Sequence, residues 1–426
     1  MAPSKGDRFL TDAVDPLGEA RRHLAASRHA SAEAASRAFL AHHPDDSEAL
    51  HILGAALIGL QRPGEAVVAL QTAQRAAPAD TDLSYKLGLA LYLDGRHNEA
   101  IPVFRELLAR APTNPRAHFR VGLIHHQNAD FERAAVCYRR ALALDPTLTA
   151  AQDCLDAAQS GLFFGAGSGF QGAHAPARQV FLSAAVHARR GASAPLRILE
   201  IGSYMGSSAL TWAHAIDRFT DKGGSILCVD PWASGPMYAF DDEMNLLMTR
   251  SDGAYQAFQR NTQRAPRSVV ITHRRGLSHD ILPSLPDSSF DIVYIDGSHY
   301  HDDVAADIRE GLRLVCDSGF LCGDDLELQG GDCDLDYARG KPRADFISDP
   351  RSGLLFHPGV TVAVHDILGP VSAYNGFWIM ARTAAGYAPV DLADSEGLLP
   401  PHWPRRLVEE LRQRFKTSGE LRQVHG

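Results

Sequence analysis

A strand, a glycine turn and a helix start follow one another directly in residues 196–216, LRILEIGSYMGSSALTWAHAI. The apolar run that ends at Ile201 is typical of a buried parallel strand. Gly202 and Gly206 bracket a tight turn, and two serines follow where a helix N-terminus takes hydroxyl caps. This order predicts the first unit of an open, doubly wound α/β sheet.

A second strand, SILCVD, ends about thirty residues later at Asp230. In sheets of this kind an acid at the tip of the second strand holds the ribose of a cofactor. A dinucleotide would need the spacing G-x-G-x-x-G, so that the backbone can approach a pyrophosphate. Here Tyr204 occupies the middle glycine position. The spacing therefore favours a ribose-bearing cofactor other than a dinucleotide.

Acids also end two later strands of the predicted sheet. FDIVYID ends at Asp296, and GFLCGDD ends at Asp324 and Asp325. Between them, residues 302–315 have apolar side chains at helical spacing, which predicts a crossover helix. Because ligands bind outside the carboxyl ends of parallel strands, these acids are expected at the same edge as the glycine turn.

Composition and charge exclude several classes of function. Lys and Arg number 42 against 51 Asp and Glu, a net charge of −9 with no basic cluster, which argues against a nucleic-acid ligand. The N-terminus lacks the apolar core of a signal peptide, and no apolar run is long enough to span a membrane. The six cysteines contain no C-x-x-C pair. We therefore expect a cytoplasmic protein.

Landmarks recur every 34 residues in the N-terminal third of the chain. Small residues at this period let two helices pack closely, bulky residues fill the groove between them, and prolines end each second helix. The pattern resembles the tetratricopeptide repeat over residues 45–146, with a degenerate repeat before it around Ala20 and Ala32 and a capping helix at 147–158. The array is assigned to residues 1–160. The landmarks in phase are Pro44, Pro78, Pro112 and Pro146; Gly54, Gly88 and Gly122; Ala66, Ala100 and Ala134; Leu70, Phe104 and Tyr138.

Arrays of this kind bind a protein or peptide partner in the groove lined by the first helix of each repeat. The lining expected here is aromatic and neutral, without the basic and amide clamp that binds peptide carboxylates. Alternatively, these aromatic side chains only pack inside the superhelix. The predicted lining residues are His51, Ile58, Tyr85, Tyr92, Phe119 and His126.

From about residue 168 to residue 382 the chain resembles class I S-adenosylmethionine-dependent methyltransferases, in particular methyltransferase domain 24, which is related to metal-dependent sugar and catechol O-methyltransferases. The resemblance implies an α/β Rossmann-like domain over 175–426 with a seven-stranded, mostly parallel sheet. HPGVTVAV and NGFWIM would form the last two strands, the final one antiparallel. The domain would follow a linker at 161–174 and end in a helix at 402–416. The resemblance rests on GFQG with Arg178, EIGSYMGSS, CVDPW, YIDGSHYHDDVAADI and FLCGDDLE, besides those two late segments.

The resemblance implies S-adenosyl-L-methionine as the cofactor. Its amino-acid part would face Glu200 and the turn that contains Ser203 and Tyr204, and Asp230 would accept hydrogen bonds from the ribose hydroxyls. The segment after the third strand would edge the adenine pocket. Alternatively, Asp230 is part of a solvated turn. The predicted cofactor-binding residues are Glu200, Gly202, Ser203, Tyr204, Gly206, Asp230, Gly276 and Ser278.

Asp296, Asp324 and Asp325 form an all-oxygen set at neighbouring strand ends, which suits Mg²⁺ or another hard divalent cation. Such an ion binds two adjacent substrate hydroxyls and lowers the pKa of one of them. His299, three residues after Asp296, is the predicted general base, because Ser298 stands where some relatives have an acid. Alternatively, the acids lie in solvated turns and His299 makes only local hydrogen bonds.

Residues 328–358 are rich in polar residues, glycine and proline, and predict a loop between the fifth and sixth strands that could cover a substrate. Asp332, Asp334 and Asp336 alternate as in a calcium loop but lack its glycine and terminal glutamate, so we interpret them as solvated.

These observations predict an O-methyltransferase that acts on a hydroxylated small molecule or a glycan sugar, with the repeats docking a partner or the carrier of the substrate. One alternative is an interaction scaffold whose methyltransferase-like domain binds the cofactor and has lost catalysis. Another is an iron-dependent hydroxylase on the same fold.

Overall fold

The computed structural model describes residues 16–159, 175–232, 252–392, 398–400, 402–403, 408–409 and 412–413. The chain divides into two units, one formed by Met1–Asn128 and Val136–Leu148, the other by Ala129–Ala135 and Thr149–Gly426. The predicted linker at 161–174 and most of the predicted helix at 402–416 lie outside the described residues. No described helix has the length and apolar character needed to cross a membrane.

The N-terminal array consists of antiparallel helix pairs in which consecutive helices pack on one another. Asp46, Asp80 and Asn114 cap every second helix, because each side chain accepts a hydrogen bond from a backbone N–H of the first turn. The helices of the array are α1 (Pro16–Ala25), α2 (His29–Leu40), α3 (Ser47–Gly59), α4 (Pro63–Ala76), α5 (Thr81–Leu93), α6 (His97–Arg110), α7 (Pro115–Gln127) and α8 (Phe131–Leu144). The predicted capping helix is α9 (Thr149–Gln159), which belongs to the second unit.

Steric demand inside each helix pair explains the 34-residue period. The glycine of the first helix faces the bulky residue of the second, and an added Cβ would lie 2.4, 2.7 and 2.6 Å from that side chain in three successive repeats. Only glycine permits this approach. Ala20 and Ala32 are fully buried, as expected of a first repeat. The three facing pairs are Gly54 with Leu70, Gly88 with Phe104, and Gly122 with Tyr138.

Three of the six predicted groove residues belong to the interior of the array. Tyr92, Phe119 and His126 are buried, and His126 Nδ1 lies 3.0 Å from the hydroxyl of Tyr138. The other three, His51, Ile58 and Tyr85, are partly exposed. Packing therefore explains half of the predicted aromatic lining.

The second unit is built on a mixed sheet of eight strands, where the sequence predicted seven. The strand order is β10-β9-β5-β4-β1-β2-β3, with β8 paired to β9. The first five strands are parallel, while β9 is antiparallel to β5, β8 and β10. The sheet strands are β1 (Leu196–Ile201), β2 (Gly224–Asp230), β3 (Val269–Arg275), β4 (Phe290–Ile295), β5 (Val315–Leu326), β8 (Ser372–Tyr374), β9 (Gly376–Thr383) and β10 (Gly386–Pro389).

Helices connect the parallel strands, as the alternating sequence pattern predicts. The crossover helix predicted between the fourth and fifth strands is α14. The helices of this unit are α10 (Ala175–Ala188), α11 (Ser207–Phe219), α12 (Gly253–Thr262), α13 (Ser278–Ile281), α14 (His301–Leu314), α15 (Leu335–Arg339) and α16 (Pro358–Leu368).

One segment predicted as a strand is a helix. HPGVTVAV begins α16, in which Pro358 occupies the first turn, where proline is favoured. Its side chains from Pro358 to Val364 are buried, so the segment has no polar face. A short run that is apolar throughout does not distinguish a buried strand from a buried helix, which explains the wrong prediction. NGFWIM does belong to the antiparallel strand β9.

The insertion at 328–358 has a small buried cluster, which it shares with Val362 of α16. It contains α15 and a two-stranded antiparallel sheet, β6 (Ile347–Ser348) with β7 (Leu355–Phe356). Asp334 caps α15 by accepting a hydrogen bond from the N–H of Tyr337 at 3.1 Å. The insertion is thus ordered next to the carboxyl edge of the sheet. Its buried cluster is Leu328, Cys333, Ala338, Phe356 and Val362.

Candidate functional site

The glycine turn, residues 202–206, joins β1 to α11. Gly202 has φ +85°, and a Cβ built there would lie 1.9 Å from the carbonyl oxygen of Asp296. Gly206 has φ +86° and caps α11. Both positions need glycine because of their left-handed backbone, and Gly202 also because the end of β4 passes directly against it.

Asp230 holds the glycine turn in shape. Its side chain is buried, and one carboxylate oxygen accepts hydrogen bonds from the backbone N–H groups of Ser203 and Tyr204, both at 2.9 Å. The other oxygen accepts from the N–H of Trp232 at 2.6 Å. The Trp232 indole donates to the carbonyl of Tyr204 at 2.6 Å. Asp230 therefore anchors the turn. The alternative, in which Asp230 lies in a solvated turn, is wrong because the side chain is buried.

Glu200 lies beneath the same turn and is fully buried. Its carboxylate accepts a hydrogen bond from the hydroxyl of Ser203 at 2.8 Å and faces the thiol of Cys228 at 3.3 Å. Burial raises the pKa of Glu200 to about 7. The carboxyl group consequently changes charge near neutral pH.

Gly276 and Ser278 follow the end of β3, and Gly276 contacts Asp230. The N–H of Gly276 donates to the backbone carbonyl of Asp230 at 3.0 Å, and Ser278 begins α13. The structure thus places every predicted cofactor-binding residue along the ends of β1, β2 and β3.

The three predicted metal-binding acids stand at the ends of β4 and β5. Tyr294 links two of them, since its hydroxyl lies 3.2 Å from a carboxylate oxygen of Asp296 and 3.4 Å from one of Asp324. Burial, together with the negative charges of Asp324 and Asp325, raises the pKa of Asp296 well above its usual range. The pKa of Asp324 is raised to about 6, because burial and the charge of Asp325 outweigh the effect of Arg178.

Arg178, on α10, supplies a cation that the sequence interpretation did not include. Its guanidinium lies 3.1 Å from Asp324, 2.5 Å from Asp325 and 2.6 Å from Glu327, and it donates to the carbonyl of Asn375 at 2.8 Å. The side chain is only 12% exposed. Burial disfavours its charge, but the three carboxylates outweigh burial and raise the pKa of Arg178. In the sequence, the one indication that Arg178 belongs to the site was its position in GFQG with Arg178, a segment on which the family resemblance rests.

His299 lies between two carboxylates. Its Nε2 is 3.0 Å from Asp325, and its Nδ1 is 2.6 Å from Asp345. Burial lowers the pKa of His299, but these two hydrogen bonds outweigh burial and raise it to about 11. The imidazole therefore carries two protons at neutral pH in this arrangement. The pKa of Asp325 lies below its usual range, since the bond to His299 outweighs the effect of burial.

His357, which the sequence interpretation did not single out, joins this group from the N-terminus of α16. Its Nδ1 lies 3.0 Å from Glu327, and its ring is 4.3 Å from the ring of His299. We call these seven residues the acid–imidazole cluster: Arg178, His299, Asp324, Asp325, Glu327, Asp345 and His357.

Two sets of metal-ligating side chains occur within the described residues, each with all ligand atoms within 4.8 Å of one another. One is His299, Asp345 and His357, and the other is Asp325, Glu327 and His357. Both mix imidazole with carboxylate, whereas the predicted set was all-oxygen, and Asp296 belongs to neither. The structure thus places imidazole nitrogens beside one of the three predicted acids, Asp325.

Comparison with protein families identifies both parts of the chain. A methyltransferase domain matches residues 199–326, a range that contains the glycine turn, Asp230 and the acids at the ends of β4 and β5. The tetratricopeptide repeat matches residues 17–81, 53–115 and 85–148, which includes the degenerate first repeat. The chain therefore carries a methyltransferase domain after a repeat array.

Solved structures similar to this chain match over about a third of its length. The protein MamA is 18% identical over 34% of this chain and 80% of its own, with a TM-score of 0.32. MamA from Desulfovibrio magneticus RS-1 is 23% identical over 34% and 84%, with a TM-score of 0.32. YrrB, described as a TPR protein with an unusual peptide-binding site, is 20% identical over 32% and 71%, with a TM-score of 0.31. No curated protein matches the chain.

Proposed function

We propose that the α/β unit transfers the methyl group of S-adenosyl-L-methionine to a hydroxyl oxygen of a small molecule or a glycan sugar. The repeats would dock a protein partner or the carrier of that substrate. The observation that carries the proposal is the match of a methyltransferase domain to residues 199–326, which include the glycine turn and the acids at the same sheet edge. The proposal places the enzyme in the cytoplasm, in keeping with the buried thiols of Cys228 and Cys322.

The cofactor would lie over β1, β2 and β3. Its amino-acid part would contact Glu200 and the backbone of the glycine turn, and its ribose hydroxyls would donate to Asp230. Gly276 and Ser278 would edge the adenine. This assignment is supported by the hydrogen bonds that Asp230 accepts from the turn, because the same carboxylate would then set the shape of the turn and hold the ribose.

Methyl transfer needs an oxygen nucleophile in line with the methyl–sulfur bond, so the protein contributes positioning more than covalent chemistry. Asp296, Asp324 and Asp325 lie at the strand ends next to the proposed cofactor position. The Tyr294 hydroxyl bridges two of these acids. An acceptor hydroxyl bound at these strand ends would therefore lie beside the transferable methyl group.

The donor set of this acid group fits Mg²⁺ or another hard divalent cation. Burial and mutual repulsion raise the pKa values of Asp296 and Asp324, so a further positive charge would stabilise their ionised forms. Arg178 supplies one positive charge against Asp324, Asp325 and Glu327. When bound, the ion would polarise an acceptor hydroxyl and lower its pKa.

His299 is the proposed proton acceptor. A general base must be unprotonated when it acts, and His299 holds two protons while both Asp325 and Asp345 face it. We therefore infer that His299 acts as a base only after one of these carboxylates is engaged elsewhere. Under this proposal the rate would rise with pH until His299 is deprotonated.

The test uses the full chain, with S-adenosylmethionine and NAD titrated in a calorimeter in Mg²⁺ and again in excess EDTA. Release of S-adenosylhomocysteine is then measured against a panel of catechols and sugars. We expect binding of S-adenosylmethionine alone, product release in Mg²⁺, and loss of release but not of binding in EDTA. No binding would refute the proposal. Binding without turnover on any acceptor would favour the alternative of an interaction scaffold that binds the cofactor without catalysis. Full turnover in EDTA would show that the reaction does not need the proposed metal ion.

A further inference from the structure

The side chains of His299, Asp345 and His357 converge beside the acids at the ends of β4 and β5. We propose that these three side chains, named the imidazole site, bind a first-row transition-metal ion such as Zn²⁺ or Co²⁺. This site differs in ligands and in preferred metal from the all-oxygen set proposed for Mg²⁺. The inference does not depend on methyl transfer. With the ion bound, His299 would be a ligand through Nδ1, so it would serve as the proton acceptor only while the imidazole site holds no ion.

The ligand atoms already surround a common point. His299 Nδ1 lies 2.6 Å from an oxygen of Asp345, and His357 Nε2 lies 3.9 Å from the same oxygen. All three ligand atoms lie within 4.8 Å of one another. The two imidazole rings meet edge to face at 4.3 Å. The two nitrogens and the oxygen therefore face the same small volume.

His357 supplies an independent sign that a ligand is missing. Its side chain is 3% exposed, and its Nε2 is buried without a hydrogen-bond partner among the described residues. The 3.9 Å to Asp345 is too long for a hydrogen bond. Buried polar atoms are rarely left unsatisfied, because desolvation without a partner costs free energy. A metal ion between His357 and Asp345 would supply that partner.

The opposite nitrogen of each ring is held by a carboxylate. His357 Nδ1 faces Glu327 at 3.0 Å, and His299 Nε2 faces Asp325 at 3.0 Å. Histidines that ligate metals generally donate their second N–H to a carboxylate or a carbonyl, which fixes the ring and its tautomer. Both rings are thus oriented so that the remaining nitrogen points towards Asp345.

Arg178 offsets part of the negative charge that surrounds the two imidazole rings. Its guanidinium pairs with both outer carboxylates, Asp325 at 2.5 Å and Glu327 at 2.6 Å. One guanidinium offsets only one of the negative charges that Asp325 and Glu327 carry together. A divalent ion at the imidazole site would therefore balance the charge on Asp345 and part of the negative charge that remains beside the rings.

Two imidazole nitrogens and one carboxylate favour Zn²⁺, Co²⁺, Fe²⁺ or Ni²⁺ over Mg²⁺, which prefers oxygen and keeps its water. Three protein ligands leave a coordination position for water or a substrate oxygen. Asp345 is 44% exposed, so that position can open to solvent. Ligand atoms of tetrahedral zinc lie about 3.3 Å apart, so the Asp345 oxygen would move away from His299 Nδ1 by about 0.7 Å. The proton shared between Asp345 and His299 would be released when the ion binds.

The test titrates Co²⁺ into the full chain after removal of metals by chelation, and follows both heat and the visible d–d absorption of the bound ion. We expect one Co²⁺ per chain, displaced by Zn²⁺ and not by excess Mg²⁺. Asp345→Asn and His357→Gln should each weaken Co²⁺ binding at least tenfold. His301→Gln is the matched control, because His301 is a neighbouring histidine outside the set that pairs with Asp302, and it should bind Co²⁺ as the wild type does.

Asp296→Asn separates the two proposed sites, since it removes a ligand of the Mg²⁺ set only and should retain the Co²⁺ spectrum. Absence of Co²⁺ binding by the wild type would overturn the proposal. Wild-type affinity for Co²⁺ in Asp345→Asn would also overturn it. If circular dichroism shows that His357→Gln does not fold, the result for Asp345→Asn decides between the two outcomes. Loss of the spectrum in Asp296→Asn with retention in Asp345→Asn would place the ion on the aspartates and equally refute the imidazole site.

Discussion

The glycine turn and the acid–imidazole cluster share one edge of the sheet but are assembled over very different distances along the chain. Asp230 holds the amides of Ser203 and Tyr204 across 27 and 26 residues. Arg178 reaches Asp325 and Glu327 across 147 and 149 residues. The first is the product of one strand–turn–helix–strand unit, and the second forms only when the whole unit has folded.

The two regions also balance charge differently. In the turn, the Asp230 carboxylate accepts hydrogen bonds from neutral backbone amides. In the cluster, partly buried carboxylates are held by a guanidinium and by imidazoles. The stability of the turn should therefore depend mainly on substitutions that change side-chain size, and the stability of the cluster mainly on substitutions that remove a charge.

The strongest test of this difference is Arg178→Met. It leaves Asp324, Asp325 and Glu327 without their guanidinium, and breaking a buried ion pair from one side costs about 3–5 kcal/mol of unfolding free energy. Denaturant titration measures the loss. Arg190→Met is the control, since Arg190 is exposed just after α10 and should change stability by no more than about 0.5 kcal/mol. A loss below about 1 kcal/mol for Arg178→Met would show that the cluster does not need this cation.

Next in size is the pH dependence due to Glu200, whose side chain is fully buried under the glycine turn. Its pKa is raised to about 7 in the folded protein, so its contribution to stability is fully present below its unfolded pKa and is lost as pH rises through 7. A shift of this size corresponds to about 3 kcal/mol. Glu200→Gln should thus gain stability relative to the wild type between pH 5 and pH 8, as measured by unfolding at both values.

The exposed Glu132→Gln provides the comparison for that experiment and should leave stability close to that of the wild type at either pH. An unchanged difference between Glu200→Gln and the wild type across the range would mean that Glu200 is not buried beneath the turn.

A smaller effect distinguishes the two glycines of the turn. Gly202→Ala and Gly206→Ala share the cost of a left-handed backbone, with φ +85° and +86°. The Cβ at Gly202 would meet backbone 1.9 Å away, whereas that at Gly206 would meet the Phe258 ring at 3.1 Å, which can shift. Gly202→Ala should therefore be the more destabilising by about 1–3 kcal/mol in denaturant unfolding. Equal losses would argue against the close approach of β1 and β4.

The smallest expected effect concerns cofactor affinity. Asp230→Ala removes the proposed acceptor of the ribose hydroxyls and the anchor of the turn, so S-adenosylmethionine should bind at least tenfold more weakly, or about 1.4 kcal/mol, by calorimetry. Asp252→Ala, at an exposed acid that pairs with Arg275, should bind as the wild type does. Wild-type affinity in Asp230→Ala would remove the ribose assignment.

Sequence patterns predicted most of the fold because most of its elements are specified locally. The repeat period and the crossover helix follow from spacing, the antiparallel final strand was implied by the family resemblance, and the structure has all three. The sheet has one strand more than predicted, and HPGVTVAV is a helix rather than a strand. That error came from a segment apolar on every side, for which periodicity carries no information.

The candidate site divides in the same way. Asp296, Asp324 and Asp325 could be placed at one edge because the ends of parallel strands meet there. The charged residues around these acids could not be placed there from the sequence, because Arg178 precedes the sheet and Asp345 belongs to an insertion without regular pattern. His299 was predicted to be a general base from its position after Asp296, and nothing in the sequence indicated that two carboxylates would flank its ring.

By itself, then, the sequence determined the helical repeat, the strand–turn–helix unit around Gly202 and the edge at which the strand-end acids lie. These depend on side-chain period and on steric limits that act between near neighbours. Only the tertiary structure decided that Arg178, Asp345 and His357 meet at that edge. The physical reason is that charge balance and ligand geometry depend on distance in space, which local pattern does not specify.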